Sequence, residues 1–250
     1  MGRLDLESRL GKAPGGYQYP LYETNVPFIF MNSVGLHRDL VTMVHEGGHA
    51  IHSFLDFDLE LVDFKSPPSE VAELASMSME LMSMEHWDVF FKSEEELKRA
   101  KKQQLESVMD TLPWIAAIDK FQHWIYLNPT HDITERYNAW REIMNDFGSK
   151  VINYTGQEAN LNRRWQVQLH LFEVPFYYIE YGFAQLGAIA VWRNYKHNPQ
   201  LAVANYKKAL ALGYTKSIPE IYETAGIKFD FSPAYIKELM DFVKDEYEKI

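Results

Sequence analysis

The chain contains no cysteine. Disulfides and thiolate metal sites are therefore excluded, and any transition metal must be held by His, Asp or Glu. Long apolar runs are also missing. The least polar stretch, near residues 182–192, falls short of the roughly 20 residues that a bilayer span requires. The start of the chain, Met1-Gly2-Arg3-Leu4-Asp5-Leu6-Glu7, is too charged for a signal-peptide core. These absences predict a cytoplasmic protein with no membrane partner. Basic residues are in the minority, 25 against 35 acidic ones, for a formal net charge of −10. Such a field repels polyanions, so no nucleic-acid partner is expected. The densest basic run, Lys98-Arg99-Ala100-Lys101-Lys102, follows Glu94-Glu95-Glu96, the acid-then-base order of a solvated helix.

Strand signals are few. Pro27-Phe28-Ile29-Phe30-Met31 is one, and residues 55–64, which alternate Leu55, Phe57, Leu59 and Leu61 with Asp56, Asp58 and Glu60, are another with a period of two. Residues 11–25, rich in Gly, Pro and Tyr, read as a loop. Helix signals dominate the rest. Ser93 with Glu96, Asp132 with Glu135, and Ser217 with Glu220 are capping boxes; Asn198-Pro199 and Ser232-Pro233 are helix starts; Gly148, Gly213 and Gly226 are stops. The expectation is a mainly α fold with a small β-sheet. With 250 residues, 46% of them hydrophobic, the chain can bury a sizeable core, which fits one large domain or two small ones; a single domain over residues 1–250 is the expectation.

Residues 45–49 read His-Glu-Gly-Gly-His. Residues i and i+4 share a helix face, so His45 and His49 converge on one point, as a tetrahedral zinc ion requires. Glu46 lies about 100° around the helix. It misses the ion itself but can reach a water beside it, the position of a general base. Each of the paired glycines costs about 1 kcal/mol against Ala inside a helix, which predicts that a backbone or a substrate passes close. His52 is open between a residue supporting the ligands and a core histidine. A third histidine six residues after His49 is ruled out, because position 55 is Leu. The third ligand is therefore sought among Glu70, Glu73 and Glu80, in a helix for which Ser69 is the candidate cap. Glu73, set among Val71, Ala72, Leu74 and Ala75, is the carboxylate expected to point inward, where a dication would offset its burial. Met77, Met79, Met82 and Met84 are read as core filler.

These residues carry a resemblance. His45-Glu46-Gly47-Gly48-His49-Ala50-Ile51-His52 is similar to the HExGHxxH of the M3 family of zinc oligopeptidases, in particular the oligoendopeptidase F group, with Gly47 standing where the family has a Phe, Leu or similar residue. Gly11 to Tyr17, Pro27 to Asn32, Glu73-Leu74-Ala75-Ser76 with Glu80, Leu212-Gly213, and Ala225-Gly226-Ile227 resemble the flanking segments. The resemblance implies one zinc ion on His45, His49 and Glu73, with Glu46 as base. It also implies that His170 and the tyrosines that follow, Tyr177, Tyr178 and Tyr181, bind substrate and stabilise the oxyanion. Tyr181 pairs by helical spacing with either of the other two. The implied activity is metalloendopeptidase hydrolysis of short unstructured peptides. Members of that group are much longer, so this chain resembles their C-terminal catalytic part. An alternative expectation follows: a zinc-bearing but inactive fragment that binds peptides or serves a structural role.

Overall fold

In the computed structural model, which describes residues 2–250, the strand signal near residue 28 becomes the centre of a small sheet. β3 (Phe28–Ser33) lies between β1 (Leu4–Glu7), which runs parallel to it, and β2 (Tyr17–Tyr19), which runs antiparallel. Ile29 and Met31 are buried and their neighbours less so, the alternation of a half-covered strand. Gln18 pairs with Ile29, and the Tyr17 ring stacks on Phe30 with centroids 5.0 Å apart.

The rest of the regular structure is helical. Ten α-helices occur among the described residues, and the fold is mainly α, as the sequence predicts. They are α1 (His37–Leu55), α2 (Ser69–Ser83), α3 (Glu94–Leu127), α4 (Ile133–Phe147), α5 (Glu158–Arg163), α6 (His170–Glu173), α7 (Ile179–His197), α8 (Pro199–Leu210), α9 (Ile218–Thr224) and α10 (Pro233–Lys249). The caps act as their chemistry requires. Asp132 and Glu135 exchange side-chain bonds at 2.8 Å each. Glu220 accepts from the Ser217 backbone at 3.0 Å, and the Asn198 and Ser232 side chains accept from the first turns of α8 and α10. At α1 a single acid organises the entry. Asp39 Oδ2 accepts from the backbone N–H groups of Val34, Gly35 and Leu36 at 2.6–2.8 Å.

Two compact units divide the chain. One comprises residues up to Leu105 with Phe183–Ile250, the other Glu106–Gly182. In the first, α1 packs on α2 and on the sheet. Val71, Leu74, Ala75 and Leu81 of α2 are almost wholly buried. Two tyrosines clamp that helix from distant parts of the chain: Tyr206 Oη donates to the Ala75 carbonyl at 2.7 Å and Tyr222 Oη to the Glu70 carbonyl at 3.1 Å. Met77, Met82 and Met84 are buried and Met79 partly so, in keeping with core filler. The second unit has an aromatic core in which Phe121 meets Trp140 and Trp165, at 5.0 and 5.2 Å between ring centroids, with Ile118 and Ile143 in the same buried cluster.

Three expectations are corrected. Residues 55–64 form no strand. Their backbone N–H groups turn back locally, Asp56 to His52, Leu59 to Asp56 and Phe64 to Leu61, and Val62–Lys65 is a 3₁₀ turn. The loop at 11–25 contains β2. Ser69 is the first residue of α2 rather than its cap, which is Pro68.

Candidate metal centre

The sequence brings His45 and His49 to one face of α1, and the fold brings α2 against that face. Gly48 makes the approach possible. A Cβ there would lie 2.6 Å from Ser76 Cα and 2.8 Å from the Ala75 carbonyl oxygen. The two helix backbones therefore touch where any side chain would hold them apart. Gly47 has nothing within 4 Å of such a Cβ. Of the paired glycines, only Gly48 answers to a passing backbone.

Glu73 is carried in by that contact. His45 Nε2 lies 3.4 Å and His49 Nε2 3.8 Å from Glu73 Oε2. One ligand atom from each of the three residues falls within a 4.8 Å group. A tetrahedral zinc ion with bonds near 2.0–2.1 Å sets neighbouring ligand atoms about 3.4 Å apart, so the spacing fits such an ion. Ser76 Oγ donates to Glu73 Oε2 at 3.1 Å and fixes the carboxylate's rotation. Glu70, by contrast, stands in the first turn of α2, where the sequence leaves it the bland role of an acid near the helix start. Glu80 bonds the far side of His45, its Oε1 2.6 Å from Nδ1.

Glu46 is 6% exposed. The backbone N–H of Gln18 bonds its carboxylate, and Gly16 packs over it. Gln18 is itself held to α1: its side-chain amide donates to Ser53 Oγ at 3.0 Å, and Ser53 donates to the His49 carbonyl at 3.1 Å. β2 thus forms a roof pinned across the helix that carries the histidines.

The electrostatics favour a cation. Burial works against charge on His45, but the hydrogen bond and charge of Glu80, and then the charges of Glu73 and Glu46, prevail and raise it to about 9. Burial, then the His45 charge, lowers His49 to about 3. Burial raises both Glu46 and Glu73. Three closely set carboxylates around two imidazoles leave acid to be neutralised, and a dication held by His45, His49 and Glu73, taking the place of the proton on His45 Nε2, would do so. The two-nitrogen, one-oxygen donor set also suits zinc. On spacing, charge and donor chemistry the residues fit the metal.

His52 is buried and points elsewhere. Its bonded partner is the Leu210 carbonyl, which ties α1 to α8, and burial lowers it to about 4. Its Nε2 is buried without a hydrogen-bond partner, so His52 is neither bonded to the candidate ligands nor a fully satisfied core histidine. Beside His49, a cavity of about 430 Å³ is lined by Tyr19, Pro20, Tyr22, His52, Asp56 and Lys65 among others.

The four remaining site candidates lie in the second unit and meet there. The His170 ring is 5.9 Å from Tyr177, 5.1 Å from Tyr178 and 5.5 Å from Tyr181 between centroids. Sequence reasoning missed Gln168, which sets the tautomer of His170. The Trp114 indole N–H donates to Gln168 Oε1 at 3.0 Å. The Gln168 amide nitrogen, 2.7 Å from His170 Nδ1, must then donate to it. His170 Nδ1 is an acceptor, and the ring proton sits on Nε2, from which it reaches Tyr181 Oη at 3.3 Å. A Gln two residues before a His carries no sequence signal of this role; Ser76, three residues after Glu73, could have been found by helical spacing.

The family model described as Peptidase family M3 matches residues 1–241. The chain is 23% identical over 256 residues to an oligoendopeptidase F homolog of Borreliella burgdorferi, with 99% of this chain and 42% of that protein covered. It is 25% identical over 257 residues to the chromosomal oligoendopeptidase F of Lactococcus lactis subsp. cremoris, covering 99% of this chain and 41% of that one. The structure of PZ peptidase A with an inhibitor superposes with a TM-score of 0.90 at 29% identity, over 99% of this chain and 44% of the other. The crystal structure of oligoendopeptidase-F from Enterococcus faecium, at 18% identity and a TM-score of 0.65 over 85% of this chain and 38% of the other, shares the fold. The chain thus spans about two fifths of the length of the curated relatives it matches.

Proposed function

The chain belongs to peptidase family M3, and from that premise we propose that it hydrolyses peptide bonds in short, unstructured oligopeptides, with one zinc ion held by His45, His49 and Glu73. The observation that carries this reading is the convergence of two ring nitrogens and a carboxylate beside a second buried carboxylate, Glu46, one residue along the same helix. When bound, zinc lowers the pKa of a coordinated water toward neutrality and polarises the scissile carbonyl. Glu46 takes the proton of the attacking water and returns it to the leaving amine. Its burial raises its affinity for that proton, which moves a carboxylate toward the range where it works as both base and acid. Gln18 and Gly16 keep Glu46 covered and oriented. His170, with its proton on Nε2, and the hydroxyls of Tyr177, Tyr178 and Tyr181 are assigned substrate binding and oxyanion stabilisation, roles for which preorganised donors are suited.

The test is Glu46→Gln. Zinc stoichiometry should be unchanged, while cleavage of a quenched short peptide falls to the level seen with a chelator. Cleavage near the wild-type rate would remove Glu46 from this role. The second reading is a zinc-bearing but inactive module that binds peptides. Peptide binding by zinc-loaded chain without turnover distinguishes it.

A further inference from the structure

Gln104 sits on α3, 24 residues after Glu80. It is 4% exposed, and its neighbours Ala100, Leu105 and Val108 are buried apolar side chains. A primary amide in such a place is costly unless bonded. Its bond is to Glu80: the amide nitrogen donates to Oε2 at 2.7 Å. The other oxygen of the same carboxylate meets His45 Nδ1 at 2.6 Å. Three side chains from three helices therefore form one line that ends on a residue assigned to the metal.

The chemistry of the line is directional. An imidazole can carry its proton on either nitrogen, and only the bare nitrogen binds a metal. In His45 the nitrogen facing Glu73 is Nε2, at 3.4 Å. A carboxylate on Nδ1 keeps the proton there and leaves the Nε2 lone pair free. A glutamate held at one oxygen can still turn about its last bond, and the histidine ring would turn with it. Gln104 holds the second oxygen. It does so as a neutral donor, so the negative charge of Glu80 stays directed at His45, whereas a Lys or Arg in its place would divert it.

We propose that Gln104 is a positioning residue of the metal centre: acting through Glu80, it fixes the ring orientation and tautomer of His45 and thereby sets the metal affinity. This rests on the metal-centre reading above. Its effect passes through one carboxylate, so the effects of Gln104 and Glu80 cannot be independent.

That dependence gives the experiment. Zinc affinity is measured by competition with a chromophoric chelator for wild type, E80Q, Q104M and the double variant, and each is loaded with Co(II) to record its visible spectrum. E80Q should weaken zinc binding roughly 10- to 100-fold, the range for loss of a partner to a metal-binding histidine. Q104M should weaken it by less, and the double variant should bind no more weakly than E80Q alone, because Gln104 has nothing left to act through. The Co(II) bands should shift in both single variants. Circular dichroism of the metal-free forms checks folding, and Q104N, whose shorter amide draws back from Glu80, is the second variant. The proposal is overturned if Q104M and Q104N bind zinc as tightly as wild type, or if the losses of the two single variants multiply in the double. Absence of stoichiometric zinc from the wild type would instead remove the metal reading on which the inference stands.

Discussion

Replacing Gly48 by Ala tests the contact that brings Glu73 to the histidines. The added Cβ would stand 2.6 Å from Ser76 Cα, 2.8 Å from the Ala75 oxygen and 3.1 Å from the Ala75 carbonyl carbon. All three are backbone atoms, so no side chain can rotate away. Carbon atoms rest about 3.5–4.0 Å apart, so α1 and α2 must separate by roughly 1 Å at this point. Overpacking of this kind costs about 1–3 kcal/mol, and Ala recovers at most about 1 kcal/mol of helix propensity over Gly. The net expectation is a loss of about 1–2 kcal/mol, or roughly 2–8 °C in melting temperature for a chain of this size. Gly47→Ala is the control. Its Cβ meets nothing within 4 Å, so only propensity acts and the melting temperature should hold or rise. Both are measured on metal-free protein by thermal circular dichroism. Zinc affinity should fall in the Gly48 variant, because Ser76, which the new methyl displaces, bonds Glu73. If Gly48→Ala melts no lower than Gly47→Ala, close approach is not what Gly48 provides.

Glu73→Gln should lower zinc affinity by at least about tenfold, since it removes the one charged ligand; unchanged affinity by chelator competition would exclude it as a ligand. Gln168→Leu removes the donor to His170 Nδ1 and frees the ring to take its other tautomer. Turnover of a short peptide should drop about tenfold with zinc content unchanged, and a loss of zinc would contradict the separation of roles. Asp56 is buried, and that burial raises it to about 7, with Lys65 opposing. Because the folded value lies above the ordinary 3.8, the fold binds a proton that the unfolded chain releases. The contribution of Asp56 is complete below about pH 4 and is lost as pH rises to 7, at up to about 1.4 kcal/mol per pH unit. Asp56→Asn should flatten that part of the stability-against-pH curve; an unchanged slope in urea titrations from pH 5 to 7 would refute the assignment.

The residues of the candidate metal centre were legible because their spacing is local. His45 and His49 are one helical turn apart, and Glu73 is an acid flanked by apolar residues on the next helix. The caps at Asp132 and Ser217 were legible for the same reason. What failed was non-local or conditional. The alternation at residues 55–64 has the period of a strand, but a strand needs a partner, and here the N–H groups of Asp56, Leu59 and Phe64 are satisfied within four residues. β1 and β2 exist only by pairing with β3, and three residues from a Gly-rich stretch gave no pattern to read. Gln18, Gln104 and Gln168 matter through partners that no spacing rule connects to them.

The clamp on α2 bears on how this site comes together in time. The line from His45 to Glu80 closes over 35 residues, while the bond from Tyr206 to Ala75 closes over 131. Loop closure over the longer distance loses about 1.2 kcal/mol more entropy. Pairing the histidines with the glutamates therefore costs less chain entropy than seating the tyrosines of α8 and α9. An ion captured between α1 and α2 would cross-link a short segment, and the remote tyrosines would then seat on a helix pair whose spacing is already set.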